Sequence, residues 1–365
     1  MLRQLSHRKF RSVLKRIPTQ GLLLLLWLLS VQSIGLSQDS ALVQPGVNDT
    51  ITEAESVKKI IDLSDQILLS TGVVFKSYGI DMFDVNSGTT LSIDPTGNAN
   101  LGFGFNYKWF GIAVSFGLPS ESKEVERFGE TQKQDFQLNI YSNAFVGQGH
   151  LQHYKGFHVS EISEGDSVNL AVKEGTGLVP SLETYSVGLS SWYFTNYKKF
   201  SYKAAYVRNA VQIISAGSPV VGLYYGLDKA DAKINLSESL PDSIKDRFDV
   251  LGYSSQSIGV SLGYSYTFVI KNFFINGTVV PGIGLKNVSF TTTEKTFFTD
   301  EGVSGRIVFN MAMGYEAKHF LFGVRAFISK RIFEANGYRV GTGTSSATLY
   351  IGKRFSIGKN KKKSH

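Results

Sequence analysis

From Ser257 to Phe268 the chain alternates strictly: Ile258, Val260, Leu262, Tyr264, Tyr266 and Phe268 fall between Ser257, Gly259, Ser261, Gly263, Ser265 and Thr267. A period of two puts the bulky residues on one face of a β-strand and the small polar ones on the other. The pattern recurs along the chain. Leu101, Phe103, Phe105, Tyr107 and Trp109 alternate with Asn100, Gly102, Gly104, Asn106 and Lys108, and Phe110, Ile112, Val114 and Phe116 follow after a tight reversal. Ile307, Phe309, Met311, Met313 and Tyr315 do likewise. No amphipathic helix interrupts the series, which predicts one all-β domain over residues 65–357.

The pattern yields roughly thirteen candidate strands, each meeting the ~9–11 residues that a tilted strand needs to cross a bilayer. They begin near Asp65, Asn98, Phe110, Lys133, His150, Glu183, Lys199, Gly217, Ser254, Lys271, Ser304, His319 and Gly343. Tight reversals at Tyr107 to Gly111, Asn196 to Lys199, Ile270 to Asn272 and Glu316 to His319 contrast with long polar connections at Pro119 to Gln132, Ser160 to Leu182 and Asn287 to Val303. Short turns on one rim and long loops on the other predict a transmembrane antiparallel up-and-down β-barrel with its short rim in the periplasm. Bacterial barrels have an even strand number, so the expectation is ~12 or 14 strands. The parity error is placed between Tyr225 and Ser254, where Leu240 to Asp249 reads as a missed strand or as an insert entering the lumen; residues 227–253 are thus the candidate plug.

Aromatics flank the tight turns. Tyr107, Trp109, Phe194, Tyr197, Phe200, Phe268, Phe273, Tyr315 and Phe320 are read as an interfacial girdle, which makes lipid the partner of the bulky face. On the small-polar face Lys108, Lys203, Arg325, Asn106, Asn276 and Asn310 are read as lumen-facing, the charges serving ion pairing ahead of selectivity. Arg208 has the opposite parity and reads as snorkelling to the headgroups. A soluble β-sandwich also alternates, but its outward face normally carries charge, whereas here that face is Gly, Ser, Thr and Asn.

The ends add an address. Arg3, Arg8, Lys9, Arg11, Lys15 and Arg16 precede the apolar run Leu22 to Leu29 and the small residues Gly35 and Ser37, the layout of a secretory signal over residues 1–37. A polar periplasmic extension, 38–64, and a basic tail, 358–365, flank the barrel domain. With export, the expected location is the outer membrane of a Gram-negative cell. The net charge of +8 dissolves on inspection: without the six leader cations, 32 Lys and Arg face 30 Asp and Glu, and four of those 32 are tail lysines beside anionic lipid. Nucleic acid is therefore not an expected partner. The absence of cysteine removes disulfides, thiolate metal sites and a lipoprotein anchor.

Four ordered stretches, "LGFGFNYKWFGIAVSFGLP" (101–119), "HYKGFHV" (153–159), "KKFSYKAAYVRNAVQIISAGSPVVGLYYG" (198–226) and "GYSYTFVIKNFFING" (263–277), resemble the exported bacterial family known as domain of unknown function 4421. The resemblance covers about Asp65 to Ile357 and implies an outer-membrane barrel without supplying a catalytic residue. One departure concerns the end of the chain, which continues past Phe355 into lysines where barrels commonly finish on an aromatic.

Little in the sequence points to catalysis. Gly259-Val260-Ser261-Leu262-Gly263 matches a nucleophile elbow, but lies within an unbroken alternation where no strand-to-helix turn is possible. His150, His153 and His158 cluster with Glu161, Glu164 and Asp166; on a regular strand His150 and His158 share a face and His153 opposes them, so no zinc spacing arises. They remain the weak catalytic candidates, with no metal and no cofactor expected. The leading functional reading is a non-enzymatic pore or a structural, surface-interaction barrel with small solutes or cell-envelope components as partners. The alternatives are a lipid- or peptide-modifying enzyme using a rim histidine, and a soluble periplasmic β-sandwich binding protein.

Overall fold

A computed structural model describes residues 59–97, 99–108, 110–118, 122–164, 168–170, 177–232, 240, 244–248, 250–292, 297–317, 320–335 and 337–356. The expected leader, the basic tail and Trp109 lie outside the described residues.

The alternating segments form long antiparallel strands: β2 (Gln66–Asp84), β3 (Thr89–Asp94), β7 (Phe145–Glu164), β9 (Leu178–Phe194), β11 (Ala216–Ala232), β12 (Gly252–Ile270), β13 (Phe273–Thr291), β14 (Phe297–Glu316), β15 (Phe320–Ala335) and β16 (Tyr338–Ser356). These ten close a ring in the order β16-β15-β14-β13-β12-β11-β9-β7-β3-β2, and β2 pairs with β16 from Gln66↔Ser356 to Asp84↔Tyr338. Closure distinguishes a barrel from two facing sheets, and it abolishes the edges of those strands.

The expected strand number was 12 or 14; the closed ring has ten. β4 (Ala99–Tyr107), β5 (Phe110–Gly117), β6 (Gln132–Tyr141) and the short β8 (Val168–Leu170) stand outside it. In its upper half β2 pairs with β3, and β3 pairs directly with the upper half of β7. In the lower half β2 pairs instead with β4, which carries β5, while β7 pairs with β6. Pro119 to Gln132, expected as a rim loop, contributes the short helix α1 (Ser122–Phe128) between β5 and β6.

The parity error lies elsewhere than expected. Lys199 begins no wall strand. Phe200, Tyr202, Ala204 and Tyr206 alternate in sequence, yet the chain turns inward after Phe194, forms the one-turn helix α2 (Tyr202–Tyr206) capped by Ser201, and continues as β10 (Ala210–Gln212). β10 pairs with β1 (Ile60–Asp62), a stretch of the polar extension. Phe200, Tyr202, Ala205 and Tyr206 are buried against Val146, Trp192, Val220, Phe274, Val280 and Val308 of the wall. Phe194 and Phe200 therefore belong to this interior cluster, not to an interfacial girdle, because a plug packed inside a ring supplies apolar partners that lipid would otherwise supply.

At the opposite mouth, Leu240, Ile244, Phe248 and Val250 pack among inward residues of β2, β3, β7, β13, β15 and β16. Of the two readings offered by the sequence, the described residues Leu240, Ile244 and Phe248 agree with a lumenal insert. Asn287 to Val303 is mostly ladder and not loop, since β13 and β14 stay paired up to Thr291↔Phe297.

Outside the ring the distribution is inverted relative to a soluble core. Ile258, Leu262, Leu285 and Val303 point outward, with Leu262 64% and Leu285 69% exposed, while Ser257, Ser261, Ser265 and Thr267 are buried inside. Above this band the outer face turns polar at Gln256, Asn287 and Glu301. A 19-residue strand such as β12 extends roughly 60 Å at about 3.3 Å per residue. Even when tilted it overshoots the ~25 Å apolar band of a bilayer-spanning barrel, leaving the upper wall in water.

Candidate functional site

The wall strands aim their small-polar faces at a lumen about midway between the α2 plug and the upper insert. There β9 contributes Ser186 and Ser190, β11 contributes Tyr224 and Asp228, β14 contributes Arg306, β15 contributes Arg331 and β16 contributes Thr342. Arg331 donates to Asp228 Oδ1 at 2.5 Å and to Ser186 Oγ at 3.0 Å. Ser186 Oγ donates to the same carboxylate at 2.7 Å, and Thr342 Oγ1 to its other oxygen at 3.3 Å. Strands far apart in sequence are thereby cross-tied through one buried anion. A buried pair satisfied in this way holds register, whereas removing one partner strands the other.

His150 Nε2 lies 3.3 Å from Ser186 Oγ, its ring against Gly188, where an added Cβ would come within 2.0 Å of the imidazole. Serine, histidine and aspartate therefore meet, but not as a hydrolytic relay. In such a relay the histidine stands between serine and carboxylate; here the serine bonds the carboxylate directly, and Arg331 neutralises it.

The other two histidines lie apart from this cluster. His153 stacks on Tyr185 with centroids 4.3 Å apart on the outer face, and His158 meets Thr96 Oγ1 at 3.3 Å and the Phe128 ring at 4.6 Å. The expectation that His150 and His158 share a face is corrected by an irregularity in β7 between Lys155 and Phe157. At Gly156 the backbone has φ +86°, and a Cβ there would meet the Glu130 carbonyl oxygen at 2.2 Å. One unpaired residue reverses the parity of everything after it. Among the described residues no group of three His, Asp or Glu side chains could hold a metal ion.

Nearer the lower rim, Glu316 accepts from both Arg208 and Arg354, and Arg354 Nη2 also donates to the Arg208 carbonyl oxygen at 2.6 Å. Arg208, expected at the headgroups, is buried, with its guanidinium 4.1 Å from the Phe274 ring centroid. A cavity of about 110 Å³ opens beside it, lined among others by Gln212, Thr267, Lys271 and Glu316.

Of the residues expected to face the lumen, Asn276 and Asn310 are buried there and bond the plug: Tyr206 donates to Asn276 Oδ1 at 2.8 Å and Asn310 Nδ2 to Tyr202 Oη at 3.0 Å. Arg325 Nη1 donates to the Tyr206 carbonyl oxygen at 2.8 Å. Asn106 is half-buried on β4, beside Gly111. Lys108 is not in the lumen: it occupies the β4–β5 turn with φ 53°, exposed over the Tyr107 ring. Lys203 reaches the interior on α2 instead of a wall strand, 3.7 Å from Asp62. Phe268, Phe273, Tyr315 and Phe320 are exposed beside tight lower turns, and Tyr107 and Tyr197 are half-buried. Sequence reasoning missed Ser186, Asp228, Arg306 and Arg331; an Asp and two Arg on the parity of small polar residues were the available signal.

Comparison with solved structures finds similarity to the outer membrane protease OmpT from Escherichia coli, at 8% identity over 80% of this chain and 98% of that one, with a TM-score of 0.35. The translocator domain of autotransporter NalP from Neisseria meningitidis is similar at 8% identity over 79% and 88%, with a TM-score of 0.33. Ail, the attachment invasion locus protein of Yersinia pestis, is similar at 6% over 77% and 97%, with a TM-score of 0.21. No curated protein matches the chain. The sequence profile described as Domain of unknown function (DUF4421) spans residues 66–355, from the first residue of β2 to the penultimate residue of β16, and the chain therefore belongs to that family.

Proposed function

We propose that this chain is an exported barrel of the Gram-negative outer membrane that works as a plugged, non-enzymatic scaffold for surface interaction. The observation that carries the reading is the pairing of an apolar exterior with an occupied interior. Leu262, Leu285 and Val303 face outward within the span of a bilayer, while Phe200, Tyr202 and Tyr206 fill one end of the lumen and Ile244 and Phe248 the other. Apolar side chains of the described residues pack into both ends of the ten-strand lumen, and on this reading the resting barrel is closed. The polar upper wall, standing above the apolar band, is the part of the molecule that meets the cell exterior.

The test is conductance across a planar bilayer. The intact protein is expected to pass no sustained current at any salt concentration. A variant lacking residues 199–213, with the flanking ends rejoined by a short turn, is expected to open discrete steps. Sustained current from the intact protein sinks the plugged reading, and release of the protein from membranes by salt without detergent sinks the membrane assignment itself.

A further inference from the structure

Among the described residues, two lumenal arginines stand apart from the acids that neutralise the other cations. Three of the lumen's lysines are matched: Lys76 with Asp135 at 3.3 Å, Lys203 with Asp62 at 3.7 Å and Lys286 with Asp300 at 3.0 Å. Its arginines are not all matched. Arg208 and Arg354 share Glu316, and Arg331 takes Asp228. Arg306 and Arg325 touch no carboxylate among the described residues; Arg325 bonds a backbone carbonyl and Arg306 a serine.

Arg306 is the more exacting case. It is only 9% exposed and sits directly opposite Arg331 in the β14–β15 ladder, so two like charges stand side by side in a water-poor interior. Such a pair is unfavourable in itself. Asp228 bonds Arg331, Ser186 and Thr342 and makes no contact with Arg306, so it relieves this pair only through space. Arg306 Nη1 donates to Ser190 Oγ at 2.8 Å, and its guanidinium lies 5.1 Å from the centroid of Tyr224. That ring rests on Gly259, Gly282 and Gly284, at each of which a Cβ would come within 2.9 Å of it.

Arg306 Nε, Arg331 Nε, Ser304 Oγ and Tyr224 Oη are buried without a partner, and the register sets Ser304 opposite Gly284, the glycine beside the Tyr224 hydroxyl, and Arg306 opposite Gly282. Each can donate a hydrogen bond, and Ser304 shares the inward face of β14 with Arg306, two residues away. A buried positive charge without a carboxylate contact, beside unused donors, is complemented by an oxyanion. We propose that the lumen binds a small oxyanion, a phosphate, sulfate or carboxylate group, on Arg306 with Ser304 and Tyr224. The proposal rests on the closed-barrel reading above and names the ligand class of that lumen. The glycine floor under Tyr224 leaves its ring on backbone and its hydroxyl beside Gly284, so the donor set is positioned by the wall itself.

The test uses the full chain refolded in detergent micelles and equilibrium dialysis against radiolabelled inorganic phosphate, sulfate and acetate. The intact protein is expected to bind one of these saturably, with the other anions competing. Arg306→Gln is expected to weaken binding by about ten-fold or more, the loss of one charge-assisted contact. Lys286→Gln, whose lysine is matched by Asp300, is expected to leave it unchanged. A second measurement needs no variant: the bound anion should shield Arg306 from phenylglyoxal, read by mass spectrometry of the modified chain. No saturable binding to a barrel that migrates as folded on an unheated gel overturns the proposal, as does equal binding by Arg306→Gln or modification of Arg306 that no anion slows. Failure to form a detergent-stable barrel is seen before any dialysis, and overturns the closed-barrel reading and this inference with it.

Discussion

Replacing Asp228 by Asn is expected to cost the folded barrel about 3–5 kcal/mol, the range seen when one partner of a buried ion pair is removed and the other stays behind. Asp228 is 2% exposed and Arg331 8%, so water screens neither side. Asn keeps the shape and an acceptor for Ser186, but it takes away the only carboxylate among the described residues that Arg331 touches, and Arg306 is its direct neighbour across the ladder. The variant leaves two adjacent buried guanidinium groups and no acid between them. Equilibrium unfolding by urea from lipid vesicles measures the loss. Combining Asp228→Asn with Arg331→Met removes both ends of the pair and should recover much of it, giving a coupling term of the kind that contacting residues show. A cost below about 1 kcal/mol for the single variant would place the pair among weak, solvated bridges.

Placing a charge on the outer wall is expected to be the next most costly change, and its cost depends on height. Leu262 lies in the middle of the outward apolar run of β12, while Gln256 lies above it on the same face and the same strand. Leu262→Arg should lose about 2–4 kcal/mol in a bilayer, and Gln256→Arg about 0–1, because the penalty falls from the midplane to the interface. Both sites are exposed, so a soluble barrel would tolerate the two substitutions alike. Equal stability of the two variants in vesicles removes the bilayer from the argument.

The histidine cluster illustrates how little chemistry a strand pattern can guarantee. His150 reached a serine 36 residues away and that serine an aspartate 42 residues further on, neither of which any local spacing announced. His153 opposes His150 by simple alternation, and His158 was turned away from it by a single extra residue at Gly156. Proximity in a polar lumen arises from ring closure, and its pairings serve charge neutralisation first. In Asp228 the carboxylate that could have oriented a base is instead held by an arginine from a strand 103 residues away.

What the sequence determined by itself is the inside and outside of the wall. Strict alternation on β12, from Ser257 to Phe268, assigns every side chain to a face, and the choice of Gly, Ser and Thr against Ile, Leu and Phe says which face meets hydrocarbon. It also marked the tight lower turns at Ile270 to Asn272 and Glu316 to His319, where β12–β13 and β14–β15 reverse. Strand number and lumen content were decided only by the tertiary structure. Phe200, Tyr202, Ala204 and Tyr206 have the period of a strand but form a helical plug, because the ring around them offers apolar partners and hydrogen bonds from Asn276 and Asn310. β3 pairs with β7 above while β5 and β6 stop below, so ten strands close the ring. Periodicity is a local property of a few neighbouring residues; which strand meets which, and which charge faces which across the lumen, exists only once the sheet has bent round and met itself.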